Sequence, residues 1–168
     1  MGNLIFSSLS EISENELQEL IHIDRECFGM DSWSAENFKY PLHDKSELSF
    51  FIKDKTKIIG FLVGSSYEFN LKKTSHINRV AVLNEYKMFG IGSKLVQRFL
   101  KRSRDLNFNG ATLEFNQKLG LNKFYTKNSF SLITDEKIIL DYLTAKKKLD
   151  KKDDFLSKKK LFYFTRFN

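Results

Sequence analysis

Two glycines stand between an apolar segment and an amphipathic one, and this arrangement constrains the fold more than any other feature of the chain. Gly90 and Gly92 lie in the stretch YKMFGIGSKL, although the whole chain has only 8 glycines. The residues before them, RVAV, have the apolar character of a buried strand, and KLVQRFLKRSRDL after them places apolar side chains at helical spacing. The sequence therefore predicts a strand that passes into a helix through a glycine-containing loop.

A glycine-containing loop at the start of a helix suits an anion. Backbone N–H groups at a helix N-terminus carry partial positive charge, and glycine lets a phosphate approach them closely. A Walker loop is not matched, because Ser93 precedes Lys94 and because Glu85 and Tyr86 stand near the position of its first glycine. A dinucleotide fingerprint requires a third glycine where Leu95 stands. From these residues alone, phosphate binding and a plain tight turn are equally open.

Helix-start signals occur twice in the first forty residues. Ser13 and Glu16 have the spacing of a capping box, and ISENELQELIHIDRECF continues with helical periodicity. In DSWSAENFKYPL, Ser34 is placed as a cap and Trp33 as a hydrophobic staple onto Phe38. We therefore expect one long helix followed by a short one that ends near Pro41.

The remaining segments predict a mixed α/β sheet. LSFFIKD, KIIGFLVGSSYEF and SHINRVAV follow one another across short polar connections, as antiparallel strands do. GATLEF comes after the helix that follows Gly92, and such a crossover makes it parallel to the strand before that helix. QKLGLNKFYTKN is expected to be a helix, and FSLI and KLFYFTRF are expected to be strands. This order favours a sheet with helices on both faces.

The positive charge is concentrated in one strip. The formal net charge is +7, and Ala145–Lys160 alone holds eight lysines and three aspartates, so the rest of the chain is close to neutral. This is not the profile of a domain whose whole surface binds nucleic acid. The strip is either a solvated loop or helix, or a docking surface for an acidic partner such as RNA, and nucleic-acid contact is expected only through it.

Several protein classes are excluded by simple counts. The 168 residues fit a single domain spanning 1–168. One cysteine, Cys27, excludes a disulfide framework and a cysteine-based zinc site, and the 3 histidines lack ligand spacing, so no metal is expected. No apolar run approaches the length of a membrane span, and we expect a cytoplasmic protein without a membrane partner.

Three stretches resemble one enzyme family. RVAVLNEYKMFGIGSKLVQRFL is similar to the acetyl-CoA motif of the GNAT family of N-acetyltransferases, in which a strand leads into Arg/Gln-x-x-Gly-x-Gly/Ala and then a helix. TLEFNQKLGLNKFYTKNSF resembles the family's later strand with a glutamate, followed by Phe-Tyr-x-x-x-Gly-Phe. CFGMDSWSAENF resembles the stretch ending in Pro-Trp-Ser of the bacterial ribosomal-protein N-terminal (alanine) acetyltransferases. The resemblance covers roughly residues 3–133 of the chain.

The resemblance implies a fold and a cofactor site. It implies a three-layer α/β fold whose mostly antiparallel sheet has about six to seven strands, flanked by helices. Acetyl-CoA, as the co-substrate, would lie in a V-shaped opening between the RVAV and TLEF strands. The pantetheine arm would pair with the backbone of Val80, Ala81 and Val82. The pyrophosphate would be held at the loop and the helix start, formed by Lys87, Met88, Phe89, Gly90, Ile91, Gly92 and Ser93.

The resemblance also implies catalytic roles. Acetyl transfer to an amine requires a base for the amine, a donor to the thioester oxygen and an acid for the leaving thiolate. Glu114 is the candidate base, acting directly or through water, and Tyr125 is the candidate acid, while the Val82 N–H is the candidate oxyanion donor. Tyr125 also fits plain packing, and Glu114 also fits a solvent-facing strand position. Candidate contacts to the acceptor are Trp33, Tyr67 and Tyr142.

Departures from the family pattern keep other hypotheses open. Lys87 stands where arginine or glutamine is usual, Ser129 replaces a glycine, and the interval from Glu114 to Tyr125 is one residue shorter than in the ribosomal-protein enzymes. The leading hypothesis is an enzyme that moves an acetyl group from acetyl-CoA to a primary amine. The favoured acceptor is a protein or peptide N-terminus and not a small amine. The alternatives are a non-catalytic acyl-CoA-binding domain, a small-amine acetyltransferase and an RNA-associated protein. The oligomeric state is left open.

Overall fold

A computed structural model describes residues 3–69, 71–147 and 160–167 of the chain. Within these residues, seven strands form one sheet in the order β1-β2-β3-β4-β5-β7-β6. The strands are β1 Leu4–Ser8, β2 Phe50–Asp54, β3 Lys57–Phe69, β4 Lys72–Val82, β5 Gly110–Asn116, β6 Ser131–Leu132 and β7 Lys160–Arg166. The α-helices are α1 Glu14–Phe28, α2 Ala35–Lys39, α3 Lys45–Leu48, α4 Ile91–Asp105, α5 Asn122–Lys127 and α6 Glu136–Lys147.

The sheet is mixed, as the sequence predicts. Neighbouring strands are antiparallel except for β4 and β5, which α4 connects as a parallel crossover. A crossover helix needs an apolar stripe to cover the sheet, and α4 supplies one with Leu95, Val96, Phe99 and Leu100, all buried. The predicted α/β fold, with a mostly antiparallel sheet of six to seven strands, is confirmed.

Helices cover both faces of the sheet. On one face α4 packs over β2 to β5, with α5 beside it. On the other face α1 and α2 pack over β3 and the end of β4, through a cluster that includes Leu20, Ile23, Phe38 and Phe61. α6 covers the same face as α1, but farther along β3, where Tyr142 meets Tyr67 and Phe69.

A bulge in β4 decides which side chains face which helices. Val63 of β3 opposes Arg79, whereas the next residue of β3 opposes Ile77, so Asn78 is an extra residue in β4. A bulge of this kind interrupts the strict alternation of side chains. As a result Ile77 packs under α4, while His76 and Arg79 both point to the face that carries α1 and α6.

One local prediction is wrong, and two helices were not predicted. QKLGLNKFYTKN is not one helix, because Gly120 takes a left-handed conformation (φ 62°) between a 3-10 turn at Gln117–Leu119 and α5. α3 was not predicted, since four residues carry too little periodicity. α6 was not predicted either, because its apolar spacing runs into the lysine strip. Of the strip Ala145–Lys160, positions 148–159 lie outside the described residues.

Among residues 3–69, 71–147 and 160–167, no helix combines the length and the apolar character needed to cross a membrane.

Candidate functional site

The sheet opens between its two parallel strands. β4 and β5 pair only where Thr74–Ile77 lies beside Gly110–Leu113. Beyond that point β4 continues along β3 as far as Val82, and β5 continues along β7 as far as Asn116. Within the described part of the chain, the end of β4 therefore presents a backbone edge toward β5 that pairs with no strand. This is the V-shaped opening that the sequence predicts.

Two residues of the predicted strand turn their backbone groups into the opening. The N–H of Leu83 donates to the carbonyl of Ile59 over 3.0 Å, on the β3 side. Because successive residues of a strand point their backbone groups in opposite directions, those of Val82 and Val80 point into the opening. By the same alternation, the backbone of Ala81 bonds toward β3. Of the three residues predicted to pair with a cofactor, the two valines are therefore the ones whose backbone groups point into the opening.

The start of α4 faces the same opening with unused donors. Gly90 caps the helix, and the first N–H that bonds back to the cap is that of Lys94, at 3.0 Å from the Gly90 carbonyl. No described residue accepts from the N–H groups of Ile91, Gly92 or Ser93. No acidic side chain stands in the first turn. The helix dipole adds partial positive charge here, so this end of α4 can receive an anion.

The two glycines have different reasons to be glycine. Gly90 has φ 76°, a left-handed conformation that suits glycine, and a Cβ placed there would meet nothing within 4 Å. Gly92 is helical, and a Cβ there would lie 3.3 Å from the ring of Phe124. Gly90 therefore sets the turn that exposes the amides, whereas Gly92 lets α4 pack closely on α5.

The loop before α4 is exposed and partly strained. Met88 is 100% exposed with φ 65°, and Phe89 is 59% exposed. The N–H of Lys87 already donates to the carbonyl of Asn84 over 3.2 Å. The ammonium of Lys87 is near enough to act on Cys27, whose pKa is raised by burial and lowered again in part by that charge. Lys87 therefore contributes charge to the opening, and its backbone N–H is already used.

Cys27 lies beside the free edge of β4. Its sulfur is half-buried and donates to the carbonyl of Val82 over 3.3 Å. This contact leaves the N–H of Val82 directed into the opening. The cysteine thus helps to fix the end of α1 against the strand that borders the opening.

Tyr125 lies on the α4 side of the sheet. Its ring is buried and stacks on Phe115 with centroids 5.2 Å apart, and Phe130 packs edge-on against it. Burial raises the pKa of its hydroxyl well above the usual range of a phenol. The phenol therefore stays protonated and can act as a hydrogen-bond donor at any working pH.

Glu114 lies on the opposite face of the sheet. It is the first residue of β5 beyond the parallel pairing, so it borders the opening. The neighbours Leu113 and Phe115 pack under α4, which directs Glu114 toward α6. There the hydroxyl of Tyr142 donates to its Oε2 over 3.3 Å. The two candidate catalytic residues thus lie on opposite faces of the sheet.

A buried ion pair fixes the loop between α1 and α2. Asp24 is 0% exposed and accepts two hydrogen bonds of 2.7 Å from the guanidinium of Arg79. It also accepts from the backbone N–H of Trp33 over 2.6 Å, and Arg79 donates to the carbonyl of Asp31. The ring of Phe28 lies 3.5 Å from the guanidinium carbon. These contacts hold the Phe28–Trp33 loop against β4, on the Glu114 side of the opening.

The predicted acceptor contacts lie in different surroundings. Trp33 is half-buried and packs edge-on against Phe38 at 5.4 Å, which confirms the predicted staple, and it belongs to the fixed loop. Tyr67 and Tyr142 are buried between α6 and the sheet. Their rings are therefore part of the core under Glu114. This burial argues against the predicted direct contact of Tyr67 and Tyr142 with an acceptor.

Sequence reasoning missed three buried polar residues of the site. Asp24 had a signal, because a carboxylate on the apolar face of a predicted helix requires a partner. Asn128 had a similar signal at the end of the predicted helix QKLGLNKFYTKN. It is the buried C-cap of α5 and donates to Ser93 Oγ over 3.2 Å. His76 was placed at the start of a strand but lies inside β4 and is buried. The bulge that turns it toward α6 leaves no trace in the sequence.

In the ranges that the structure describes, no group of three or more histidine, cysteine, aspartate or glutamate side chains could hold a metal ion.

Several solved structures share this fold, although their sequence identity to the chain is low. A search of curated proteins finds no sequence match. The NatC complex bound to a Gag peptide and CoA superposes with a TM-score of 0.74 at 17% identity, covering 100% of both chains. The ribosomal-protein-S18-alanine N-acetyltransferase of Escherichia coli gives 0.69 at 14% identity, covering 98% of this chain and 94% of its own. Naa50 of Arabidopsis thaliana with a bisubstrate analogue gives 0.69 at 14%, covering 98% and 99%.

At identities this low, the superpositions show a shared fold, and the family is shown by the sequence itself. The model of the acetyltransferase (GNAT) family matches residues 17–130, which include the opening, the start of α4 and both candidate catalytic residues. The chain therefore belongs to the GNAT family of acetyltransferases.

Proposed function

We propose that this acetyltransferase uses acetyl-CoA to acetylate the N-terminal amine of a protein or peptide. The observation that carries the proposal is the free edge of β4, which leads directly to the unused N–H groups at the start of α4. An extended molecule with amide groups followed by a pyrophosphate would match this arrangement, with the amides on the β4 edge and the pyrophosphate at the start of α4. Coenzyme A has this form, since its pantetheine amides precede its phosphates.

The described residues fit this group at each point. Val80 and Val82 would pair with the pantetheine amides, and the amides of Ile91, Gly92 and Ser93 would receive the pyrophosphate. Lys87 and Lys94 add positive charge at the mouth of the site. When bound, acetyl-CoA supplies the acetyl group as an activated thioester.

The chain's own residues then handle protons and charge. Glu114 would take a proton from the acceptor amine, either directly or through a water molecule. The N–H of Val82 would donate to the thioester oxygen as that oxygen gains charge. Tyr125 would donate a hydrogen bond to the sulfur as it becomes a thiolate, and its raised pKa keeps that proton in place beforehand.

The acceptor class follows from the side of the opening that Glu114 faces. The Phe28–Trp33 loop and α6 stand on that face, and the ion pair of Asp24 and Arg79 fixes the loop. Two superposed structures support a peptide N-terminus: the NatC complex holds a peptide, and the Escherichia coli protein is named for the alanine of a ribosomal protein. The likeness is one of fold, so the acceptor is a proposal.

The test is a peptide acetylation assay followed by mass spectrometry. Short peptides that begin with alanine, serine or methionine are compared with the same peptides already acetylated at the N-terminus, and with spermidine as a small amine. We expect acetylation of free N-termini only. Acetylation of spermidine alone would overturn the acceptor class, and no turnover of any amine would overturn the proposed activity.

Two variants test the residue roles in the same assay. Glu114→Gln and Tyr125→Phe each remove one proton-handling group while keeping the size of the side chain. We expect each to lower kcat by about a hundredfold, the lower end for acid–base groups. Unchanged turnover in both variants would show that the roles are assigned to the wrong residues.

A further inference from the structure

A line of polar side chains lies in the core directly under Glu114. The hydroxyl of Tyr142, from α6, donates to Glu114 Oε2 and also lies 3.3 Å from Nδ1 of His76. That nitrogen lies 3.0 Å from the hydroxyl of Thr112, which lies 2.7 Å from the hydroxyl of Tyr67. Side chains from β3, β4, β5 and α6 thus meet in one hydrogen-bonded group that ends on the proposed base.

The group is too deeply buried to be an incidental surface network. Tyr142 is 0% exposed and His76 is 2% exposed, with Phe69 and Phe162 packed around them. Burying polar groups costs free energy, which their mutual hydrogen bonds only offset. An apolar core could fill the same space without that cost. The network therefore requires a reason other than packing, and its contact with Glu114 supplies one.

The hydrogen bonds of the network have a consistent direction. The hydroxyl of Thr112 donates to the carbonyl of Ser75 over 3.3 Å, and a hydroxyl has only one hydrogen to give. Thr112 then accepts from Tyr67 and from the Nδ1 hydrogen of His76. With that nitrogen as a donor, its one hydrogen is shared between Thr112 and the oxygen of Tyr142, and the hydrogen of Tyr142 is directed at Glu114. Tyr142 is therefore the member of the network whose hydrogen is directed at the carboxylate.

Charge at Glu114 keeps Tyr142 in its donor form. Burial raises the pKa of Tyr142 well above its usual value, and the negative charge of Glu114 raises it further. The pKa of Tyr67 is likewise raised by burial. Besides Glu114, this network contains three titratable side chains, which are Tyr142 from α6, His76 from β4 and Tyr67 from β3. The two phenols remain protonated while the carboxylate is charged.

We propose that Tyr142 is a positioning residue that holds the carboxylate of Glu114 in place at the opening, with His76 and Thr112 holding Tyr142 in turn. The inference rests on the proposed role of Glu114 as the base. It also assigns a role to α6, which lies outside residues 17–130 that match the family model. A carboxylate fixed through one oxygen presents a defined geometry to the acceptor amine.

The kinetic test compares Tyr142→Phe with a matched control. Tyr163→Phe also removes a hydroxyl from a buried tyrosine, but on the α4 face of the sheet. With an alanine-starting peptide as acceptor, we expect Tyr142→Phe to lower kcat about tenfold without changing KM for acetyl-CoA. The acidic limb of the pH–rate profile should move up by about one pH unit in Tyr142→Phe, because a carboxylate that loses a hydrogen-bond donor is protonated more easily. Tyr163→Phe should match the wild type.

A second measurement does not depend on turnover. NMR of the glutamate side-chain carboxyl carbons follows the titration of Glu114, assigned as the signal that Glu114→Gln lacks. We expect its midpoint to rise in Tyr142→Phe and to stay unchanged in Tyr163→Phe. A midpoint that is the same in all three proteins would overturn the inference. If the midpoint rises but the wild type acetylates no amine, the contact stands and the proposed function fails.

Discussion

Asn128 joins the helix start at the proposed pyrophosphate site to the helix that carries Tyr125. Its side chain is buried, donates to Ser93 Oγ over 3.2 Å and to the carbonyl of Phe124 over 2.8 Å, and accepts from Gln97 over 3.2 Å. Because Asn128 occupies the oxygen of Ser93 as an acceptor, the Ser93 hydrogen is left to donate toward the opening. Asn128 thus orients Ser93, which is proposed to bind the pyrophosphate of acetyl-CoA.

Replacing Asn128 tests this role. In Asn128→Leu the size of the side chain is kept while the hydrogen bond to Ser93 is lost. We expect KM for acetyl-CoA to rise about threefold to tenfold, as for one lost hydrogen bond, with kcat unchanged. Gln97→Met is the control, because it removes the other partner of Asn128 and leaves the Ser93 contact. A fall in kcat at constant KM would contradict the assignment.

Ser129 holds a backbone conformation that suits the glycine it replaces. Its φ is 71°, which costs an L-residue roughly 1–2 kcal/mol, whereas glycine adopts it freely at some cost in entropy. We expect Ser129→Gly to stabilise the fold by about 0.5–1 kcal/mol, which raises Tm by about 1–4 °C. Asn107→Gly, at φ 59°, is the comparison and should gain less, since asparagine tolerates this region. An unchanged or lower Tm in Ser129→Gly would be the contrary result.

At the scale of elements, the start of α1 is held by charge as well as by its cap. Glu16 accepts from the backbone of Ser13 over 2.8 Å, and Lys53 of β2 donates to it over 2.5 Å. The hydrogen bonds from Lys53 and then from Ser13 lower the pKa of Glu16 from 4.5 to about 2. A carboxyl group whose pKa is lower in the folded state than in the unfolded state stabilises the folded protein at pH values above the unfolded-state pKa. That stabilisation is lost as the pH falls through the folded-state pKa.

The predicted consequence is a pH-dependent difference between the wild type and Glu16→Gln. Above pH 4.5 the wild type should be more stable by about 1 kcal/mol, typical of a helix cap. The difference should shrink as pH falls from about 4.5 toward about 2. Thermal unfolding of both proteins across this range measures it. A gap that stays constant down to pH 2 would show that the charge of Glu16 contributes nothing.

Elements were predictable where their signals are local. The capping box at Ser13 and the staple of Trp33 on Phe38 depend on neighbours within a few residues, and both are present. α6 depends on packing instead: its buried Tyr142 meets β3 and β7, which are distant in sequence. A helix that tertiary contacts stabilise leaves a weaker pattern than one that local signals stabilise.

At the scale of the whole molecule, the site arises where the sheet changes its pairing. The sequence predicted the parallel crossover and the loop at Gly90, because a strand, a glycine turn and an amphipathic helix follow one another directly. It could not place the bulge at Asn78 or the parting of β4 from β5 after Ile77. The bulge turns His76 toward α6, and the parting leaves Glu114 at the border of the opening; both depend on contacts across the sheet.

The most direct test of the proposed function is thermal unfolding with acetyl-CoA, with NAD and ATP as controls. At a hundredfold excess over its dissociation constant, a ligand stabilises the folded state by about 2.7 kcal/mol. We predict that acetyl-CoA raises Tm by about 5–10 °C and that NAD and ATP do not. No rise at saturating acetyl-CoA would mean that the β4 edge and the start of α4 do not form its binding site.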